Sequence, residues 1–513
     1  MLRYLTLVGA LCAACAPFLP GGVPRPGPDA WSIGLAVGVV VAAVLGLGRA
    51  RPAGAVLGAG AAVAALVLLG RDLGTGLTGV DLPVLAVGAV AVAVGVFRSR
   101  DWRVRPVGAG LALVVAVVAA GAPAGAEVLV VRSEARDARN SAPEPVAERP
   151  GDRQWAWQPS SDVVGVVAAG HGVAVGLREG AVVGLNGPDG REEWRYARPG
   201  ARVGAVAASM DRRAVVVAFG STRDTRAQLV VVLDAGTGRV RWQVVLRSVL
   251  VEVGELVPGT RTLAVRDRDV VTGYDLDSGE VRWTWTAPAG CGSRYTLPAR
   301  GRTTVPVVVE CGDVVALVAL DEVSGRERWR HEVRPGPLNG EVFDVVLVGA
   351  PDGSVWSARM AGGGLFDAET GTPLARPEAP WTARVEVGAT PLLEQADGRT
   401  SALDPRTGGT TPLSVEACPG RVADTTTATT YLRACRDTGR ELTVVTQPLD
   451  GSPPATTPVR LDGSGSRSDL HLVAAPGAVV VARETYGGTP SPVVGLVPRD
   501  AGVGSGEVGD GVG

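Results

Sequence analysis

The chain has 513 residues, 50 of them basic and 52 acidic, giving a formal net charge of −2, and 46% of it is hydrophobic. That balance gives no support to a nucleic-acid partner, which would be held by an excess of basic groups along a phosphate backbone. Every basic residue is Arg, no Lys occurs and the one Ile is Ile33; such a bias suggests a GC-rich genome of the actinobacterial kind and weakens any reading of single arginines as selected.

Residues 1–131 are apolar runs of Ala, Val, Leu and Gly broken by short clusters containing Arg. They predict an α-helical transmembrane bundle of about five spans, at 4–20, 31–48, 53–70, 82–97 and 107–131, each near the ~20 residues that cross the hydrocarbon core. Arg3, the Arg49 and Arg51 loop, and the loop with Arg98, Arg100, Arg103 and Arg105 alternate with loops carrying only Arg25 or Arg71, each with Asp nearby. Positive loops stay in the cytoplasm, so everything after about Arg132 is expected outside it. A second reading makes the first segment a cleaved signal peptide, with Arg3, a short apolar stretch and small residues around Ala13 to Ala16; the later part of the chain lands in the same compartment. The spans hold almost no ionisable residues, which argues against a transport pathway. Gly34 to Gly38 and Gly54 to Gly58 have the spacing that lets membrane helices approach closely.

Residues 132–154 are rich in charge, Pro and Ala without apolar periodicity, and are expected to be a flexible linker. Residues 501–513 are mostly Gly with small and acidic residues, a disordered tail by composition.

Between them, at 155–500, one phrase recurs. It reads Leu233-Asp234-Ala235-Gly236-Thr237-Gly238-Arg239-Val240-Arg241-Trp242, then Tyr274-Asp275 to Gly279 and Trp283, then Leu320-Asp321 to Gly325 and Trp329. Weaker copies begin at Leu185-Asn186, Phe366-Asp367, Leu403-Asp404 and Leu449-Asp450, with Leu496 to Asp500 as a candidate last member. Self-similarity at this spacing marks an array whose units bury their apolar faces against one another. Locally the phrase is a hairpin: the Asp accepts from backbone N–H groups two or three residues on, the Gly takes the positive φ of the connection, and the Trp packs between sheets. Arg153-Gln154-Trp155-Ala156-Trp157 resembles the ending around Arg282-Trp283-Thr284-Trp285 and reads as an orphan final strand that pairs with strands near Val479 to Val497. The fold class is thus an N-terminal helical bundle followed by an all-β propeller of seven or eight four-stranded blades.

The strand, Asp-x-x-Thr-Gly turn and Trp resemble the repeats of the quinoprotein-like (PQQ-like) β-propellers. That resemblance implies the fold, and it covers both quinone-dependent dehydrogenases and non-catalytic scaffolds such as the outer-membrane assembly lipoprotein. Membrane spans followed by an external propeller are also similar in layout to membrane-bound quinoprotein glucose dehydrogenase, so the alternative function is a sugar or alcohol dehydrogenase using pyrroloquinoline quinone and calcium. Against it stand the absence of adjacent cysteines and of any Lys to contact the quinone.

No catalytic, cofactor or metal residues are assigned. Asp234, Asp275 and Asp321, with Gly238, Gly279 and Gly325 and with Trp242, Trp283 and Trp329, recur at fixed hairpin positions, which turn chemistry and packing explain, whereas a catalytic residue should be singular. His171, His331 and His471 lie far apart without ligand spacing. Cys291 with Cys311 and Cys418 with Cys435 are each separated by roughly one hairpin, the arrangement of two stapling disulfides in an oxidising compartment; four free thiols are the competing reading. No cofactor is expected. The expected partners are the membrane and another envelope protein, a peptide or a glycan, for a non-enzymatic, multi-pass, extracytoplasmic scaffold or sensor.

Overall fold

The computed structural model describes residues 2–19, 30–48, 50–98, 107–137, 142–221, 227–247, 256–267, 269–292, 303–312, 314–333, 347–349, 354–357, 365–367, 369–372, 381–384, 392–395, 399–404, 407, 409–413, 421–436, 441–461, 470–484 and 489–498. Five apolar helices come first: α1 (Leu2–Cys15), α2 (Ala30–Leu47), α3 (Arg51–Leu73), α4 (Asp81–Arg98) and α5 (Val107–Val130). Of these α2, α3 and the Leu113–Val130 part of α5 are long and apolar enough to cross a membrane, while the apolar stretches Arg3–Phe18 and Asp81–Phe97 are shorter.

Their packing relies on residues too small to hold the backbones apart. A Cβ on Gly9 of α1 would stand 2.8 Å from the Gly88 carbonyl oxygen of α4, and one on Gly54 of α3 would stand 2.5 Å from Gly46 N of α2. Gly34 and Gly38, by contrast, face nothing within 4 Å, so only one of the two small-residue motifs is used inside the bundle. Ala13 of α1 is fully buried among Ala42, Leu85 and Ala89.

The rest of the chain is antiparallel sheet, in eight sheets among the described residues. Sheet 1 runs through Val163–Ala169, Gly172–Leu177, Ala181–Asn186 and Glu192–Ala197. Sheet 2 runs through Arg202–Ala208, Ala214–Gly220, Ala227–Asp234 and Val240–Arg247. Sheet 3 extends from Leu256–Pro258 through Val270–Asp275 to Val281–Thr286, and sheet 4 from Cys291–Gly292 through Val314–Asp321 to Glu327–Val333. Sheet 5 has three described strands, Leu347–Gly349 to Leu365–Asp367; sheets 6 and 7 run from Trp381–Arg384 to Thr410–Leu413 and from Arg421–Thr426 to Ala455–Arg460. Sheet 8 is built from Leu470–Ala475, Ala478–Arg483 and Val493–Val497, and its fourth strand is Arg153–Trp157, with Trp155 opposite Gly495.

Among the described residues buried Val, Ala and Leu fill the spaces between sheets 8 and 1, 1 and 2, 2 and 3, 3 and 4, 6 and 7, and 7 and 8. One cluster joins sheets 1 and 2 through Val182, Trp194, Val217 and Phe219, and another joins sheets 8 and 1 through Val175, Val183, Val480 and Val493. The first strand of sheet 1 lies against the first strands of both sheet 2 and sheet 8.

The described parts of 132–154, residues 132–137 and 142–154, are docked on the sheets and are not a free tether. Arg132–Glu134 adds a fifth strand to sheet 1, pairing with Arg195 to Ala197. Further on, Ala147 N donates to Ala475 O at 3.0 Å and Gly477 N to Pro145 O at 3.0 Å, and Glu148 accepts from Thr429 N at 3.1 Å. Composition misled because these contacts are made mostly by backbone groups, which apolar periodicity does not register.

Cys291 and Cys311 face each other across the first two strands of sheet 4 and form a disulfide. Cys435 is also disulfide-bonded, whereas Cys418 lies outside the described residues, as does the 501–513 tail. Cys12 and Cys15 of α1 are free thiols. Replacing Cys291 and Cys311 together by Ser is expected to lower the stability of the sheet region by about 3 kcal/mol, read by denaturant unfolding under non-reducing conditions; a change below about 0.5 kcal/mol would mean that the bond is energetically idle.

Candidate functional site

The recurring phrase builds one structure several times over, at the turn between the third and fourth strands of a sheet. In sheet 2, Asp234 Oδ1 accepts from Gly236 N at 3.2 Å, Thr237 N at 3.1 Å and Thr237 Oγ1 at 2.9 Å. Gly238 N closes the turn on Asp234 O at 2.8 Å, at φ 71°, a left-handed conformation that Gly takes without a Cβ clash. In sheet 3, Asp275 accepts from the amides of Asp277 and Ser278, both at 2.8 Å, and in sheet 4 Asp321 accepts from Val323 N and Ser324 N at 3.1 and 2.7 Å. The first copy exchanges the roles: Asn186 Nδ2 donates to Asp189 Oδ1 at 2.6 Å, and Asp189 caps Arg191 N.

After the turns of sheets 1 to 4 the ladder slips by one residue. Val240 pairs with Leu233 but Trp242 pairs with Val232, leaving Arg241 as the extra residue of a bulge; Arg282 and Arg328 are skipped in the same way. A bulge re-aims its side chain, and here it sends the guanidinium back onto the Asp seven residues earlier. Arg241 Nη2 donates to Asp234 Oδ2 at 2.8 Å, Arg328 Nε to Asp321 Oδ2 at 2.9 Å, and Arg282 pairs with Asp275 Oδ2. The pairing continues into the next sheet, through Arg241 to Asp277 at 2.8 Å and Arg328 to Glu369 at 3.1 Å.

The tryptophans carry the second link between sheets. Trp155, Trp194, Trp242 and Trp283 donate Nε1–H to Gly187, Ala235, Leu276 and Glu322 carbonyls, at 2.6, 2.8, 3.0 and 2.8 Å. Each acceptor is one residue past the Asn or Asp that opens the following turn. Each ring also lies under the glycine of that turn: a Cβ on Gly279 would stand 2.6 Å from Trp242, and one on Gly325 2.5 Å from Trp283. Trp329 lies under Gly371 in the same manner. The indole thus joins a strand to the neighbouring unit, and the turn glycine is required by space as well as by φ.

Both carboxylate oxygens of Asp234, Asp275 and Asp321 are therefore occupied. Burial alone would raise these carboxyls, but the turn donors and the bulge arginines outweigh it and hold all three below the usual carboxylate range, Asp321 at about 2. Each of the three carboxylates is thus committed to its own turn and bulge, in three separate sheets. The histidines do not converge: His171 lies 3.7 Å from Glu193, His331 Nε2 contacts Gly371 O, and His471 stands in the first strand of sheet 8. Among the described residues no three or more His, Cys, Asp or Glu side chains gather as a metal site.

The family model described as outer membrane protein assembly factor BamB matches residues 102–310 and 226–412, together more than half of the chain. The chain belongs to this family. BamB-type repeats of the PQQ-like kind are thus the sheets whose turns are described above. Among solved structures, BamB from Moraxella catarrhalis is 19% identical with a TM-score of 0.43, covering 67% of this chain and 100% of its own. The C-terminal WD40 domain of Sif2 is 10% identical with a TM-score of 0.45, covering 67% of this chain and 99% of its own. No curated protein matches the chain.

Two measurements test the inter-sheet link. Trp242→Ala is expected to cost about 3–5 kcal/mol in unfolding free energy, because a buried indole and its hydrogen bond are lost together; Trp242→Phe should lose much less. The depressed carboxyls set a pH dependence. With a folded pKa below the unfolded value of about 3.9, their contribution is present above about pH 4 and disappears as pH falls toward 2. The difference in melting temperature between the native chain and Asp321→Asn should accordingly be largest above about pH 4 and close to zero near pH 2.

Proposed function

We propose that this protein is a non-enzymatic scaffold or sensor of the cell envelope, a β-propeller carried outside the cytoplasm on a multi-pass membrane anchor. One observation carries the reading: the chemistry repeated in the chain is consumed in joining sheet to sheet. What is left for recognition is the set of loops between sheets, which differ from one unit to the next. The family supports a protein partner within the envelope, since its description is that of an assembly factor. We read the eight sheets as blades of a single ring, supported by the pairing of Arg153–Trp157 with Val493–Val497 and by the packing of sheet 8 on sheet 1.

Orientation follows from the alternation of Arg-bearing loops, and the Cys291–Cys311 disulfide supports the same side, because such bonds persist in oxidising compartments. Val281 is 57% exposed on sheet 3, so a Val281→Cys chain in intact cells or right-side-out vesicles should react with a membrane-impermeant maleimide. Labelling that appears only after lysis would place the sheets in the cytoplasm and reject the reading.

The dehydrogenase alternative predicts something different. Purified full-length protein titrated with pyrroloquinoline quinone and calcium is expected to show no stoichiometric uptake and no dye-coupled oxidation of sugars or alcohols. Tight uptake with turnover would replace the scaffold by an enzyme.

A further inference from the structure

Arg198 follows the last strand of sheet 1 and is only 1% exposed. Its Nε donates to Tyr196 Oη at 2.8 Å and its Nη2 to Gln243 Oε1 of sheet 2 at 2.7 Å. Nη2 also pairs with Glu127 Oε1, in the last turn of α5. Thr78, between α3 and α4, donates to Glu127 Oε2 at 3.1 Å, and Gln243 Nε2 donates to Oε1 at 3.3 Å. Among the described residues Glu127 is the carboxylate that neutralises Arg198. A buried guanidinium stripped of its carboxylate is strongly disfavoured, so the propeller side of this pair is stable only while the helix side is in place.

Two further contacts converge at the same place. Leu77, in the α3–α4 loop, is fully buried in the core of sheets 1 and 2 beside Val203 and Phe219. Around it the backbones touch: a Cβ on Gly76 would stand 2.6 Å from Ala201 N, and one on Gly200 2.4 Å from Gly74 O. On the other flank, Val131 alone separates α5 from the added strand Arg132–Glu134 of sheet 1. The chain then fastens to the sheet 2 turn through Arg136 N to Thr237 O and Arg239 to Asp137, both at 3.0 Å.

We propose that the Glu127–Arg198 pair, the inserted Leu77 loop and the Arg132–Glu134 strand form a latch that makes the helical bundle and sheets 1 and 2 one mechanical unit. A partner pulling or seating on the propeller then acts directly on α5 and on the α3–α4 loop. A rigid transmission of this kind is what separates a sensor from a domain on a string. The proposal rests on the anchored reading above, but its test does not: the distance between bundle and propeller is measured whichever side of the membrane the propeller occupies.

The full chain in lipid nanodiscs would carry spin labels at Cys15, with Cys12→Ser, and at Val281→Cys, for pulsed dipolar distance measurement. The native latch is expected to give one narrow distance distribution. Glu127→Arg should broaden it at least twofold, and the charge exchange E127R/R198E should narrow it again. Because the exchange alters a buried position next to sheet 1, hydrogen exchange in Glu127→Gln provides a second reading: residues 74–80 should lose protection by tenfold or more while strands of sheet 3 keep theirs. A native distribution as broad as that of Glu127→Arg, an exchange variant that folds without restoring the narrow one, or unchanged protection at 74–80 would each overturn the latch.

Discussion

The interaction on which the fold depends is the indole N–H of one unit donating to the turn carbonyl of the next, with the ring pressed under that turn's glycine. A four-stranded sheet has two apolar faces and cannot cover both by itself. Area burial pulls sheets together without specifying how they align. A directed hydrogen bond from a rigid, bulky side chain fixes the offset, and the glycine requirement ensures that only one part of the neighbouring turn can receive it. The same offset brings the bulge arginine within reach of its own Asp and of the following sheet, so polar stitching comes as a consequence of ring placement.

This division of labour explains why a conspicuous motif says little about activity. A carboxylate with two or three donors on one oxygen and a guanidinium on the other is committed to its own turn and bulge. Arg241 and Arg328 are likewise committed to acids of the following sheet. Repetition and catalysis make opposing demands on a residue: the first requires the same environment in every unit, the second a singular one.

Much of the architecture was legible because it is written in local terms. Asp, Gly and Trp at fixed spacing identify the turn, its positive φ and the packing ring, and the likeness of Arg153–Trp157 to the later strand endings pointed to the strands near Val479 to Val497, where it pairs with Val493–Val497. The Cys291–Cys311 pair was read from its separation within one repeat and an expected oxidising compartment. What escaped was non-local or carried by backbone. The bulge that turns Arg241 onto Asp234 left a visible trace, since Arg precedes Trp in three copies, but spacing alone does not reveal that a ladder slips there. Nothing in 132–154 announced its docking, because Ala147 and Gly151 make their contacts through main-chain atoms and small size. Glu127, Thr78 and Arg198 are separated by tens of residues, and each alone looks like an ordinary residue at the end of an element.

The pairing of Arg153–Trp157 with Val493–Val497 has a kinetic side. A ribosome delivers the first of these strands long before the second, so during synthesis an unpaired edge with two tryptophans must wait while nearly all of the sheet region emerges. Such non-local closure is slow, and a waiting edge is open to the wrong partner. Here the waiting strand follows a segment fastened to sheet 1 at Arg132–Glu134, which keeps it within a short length of chain from an anchored point. The last sheet thereby completes itself on a strand that was set out in advance.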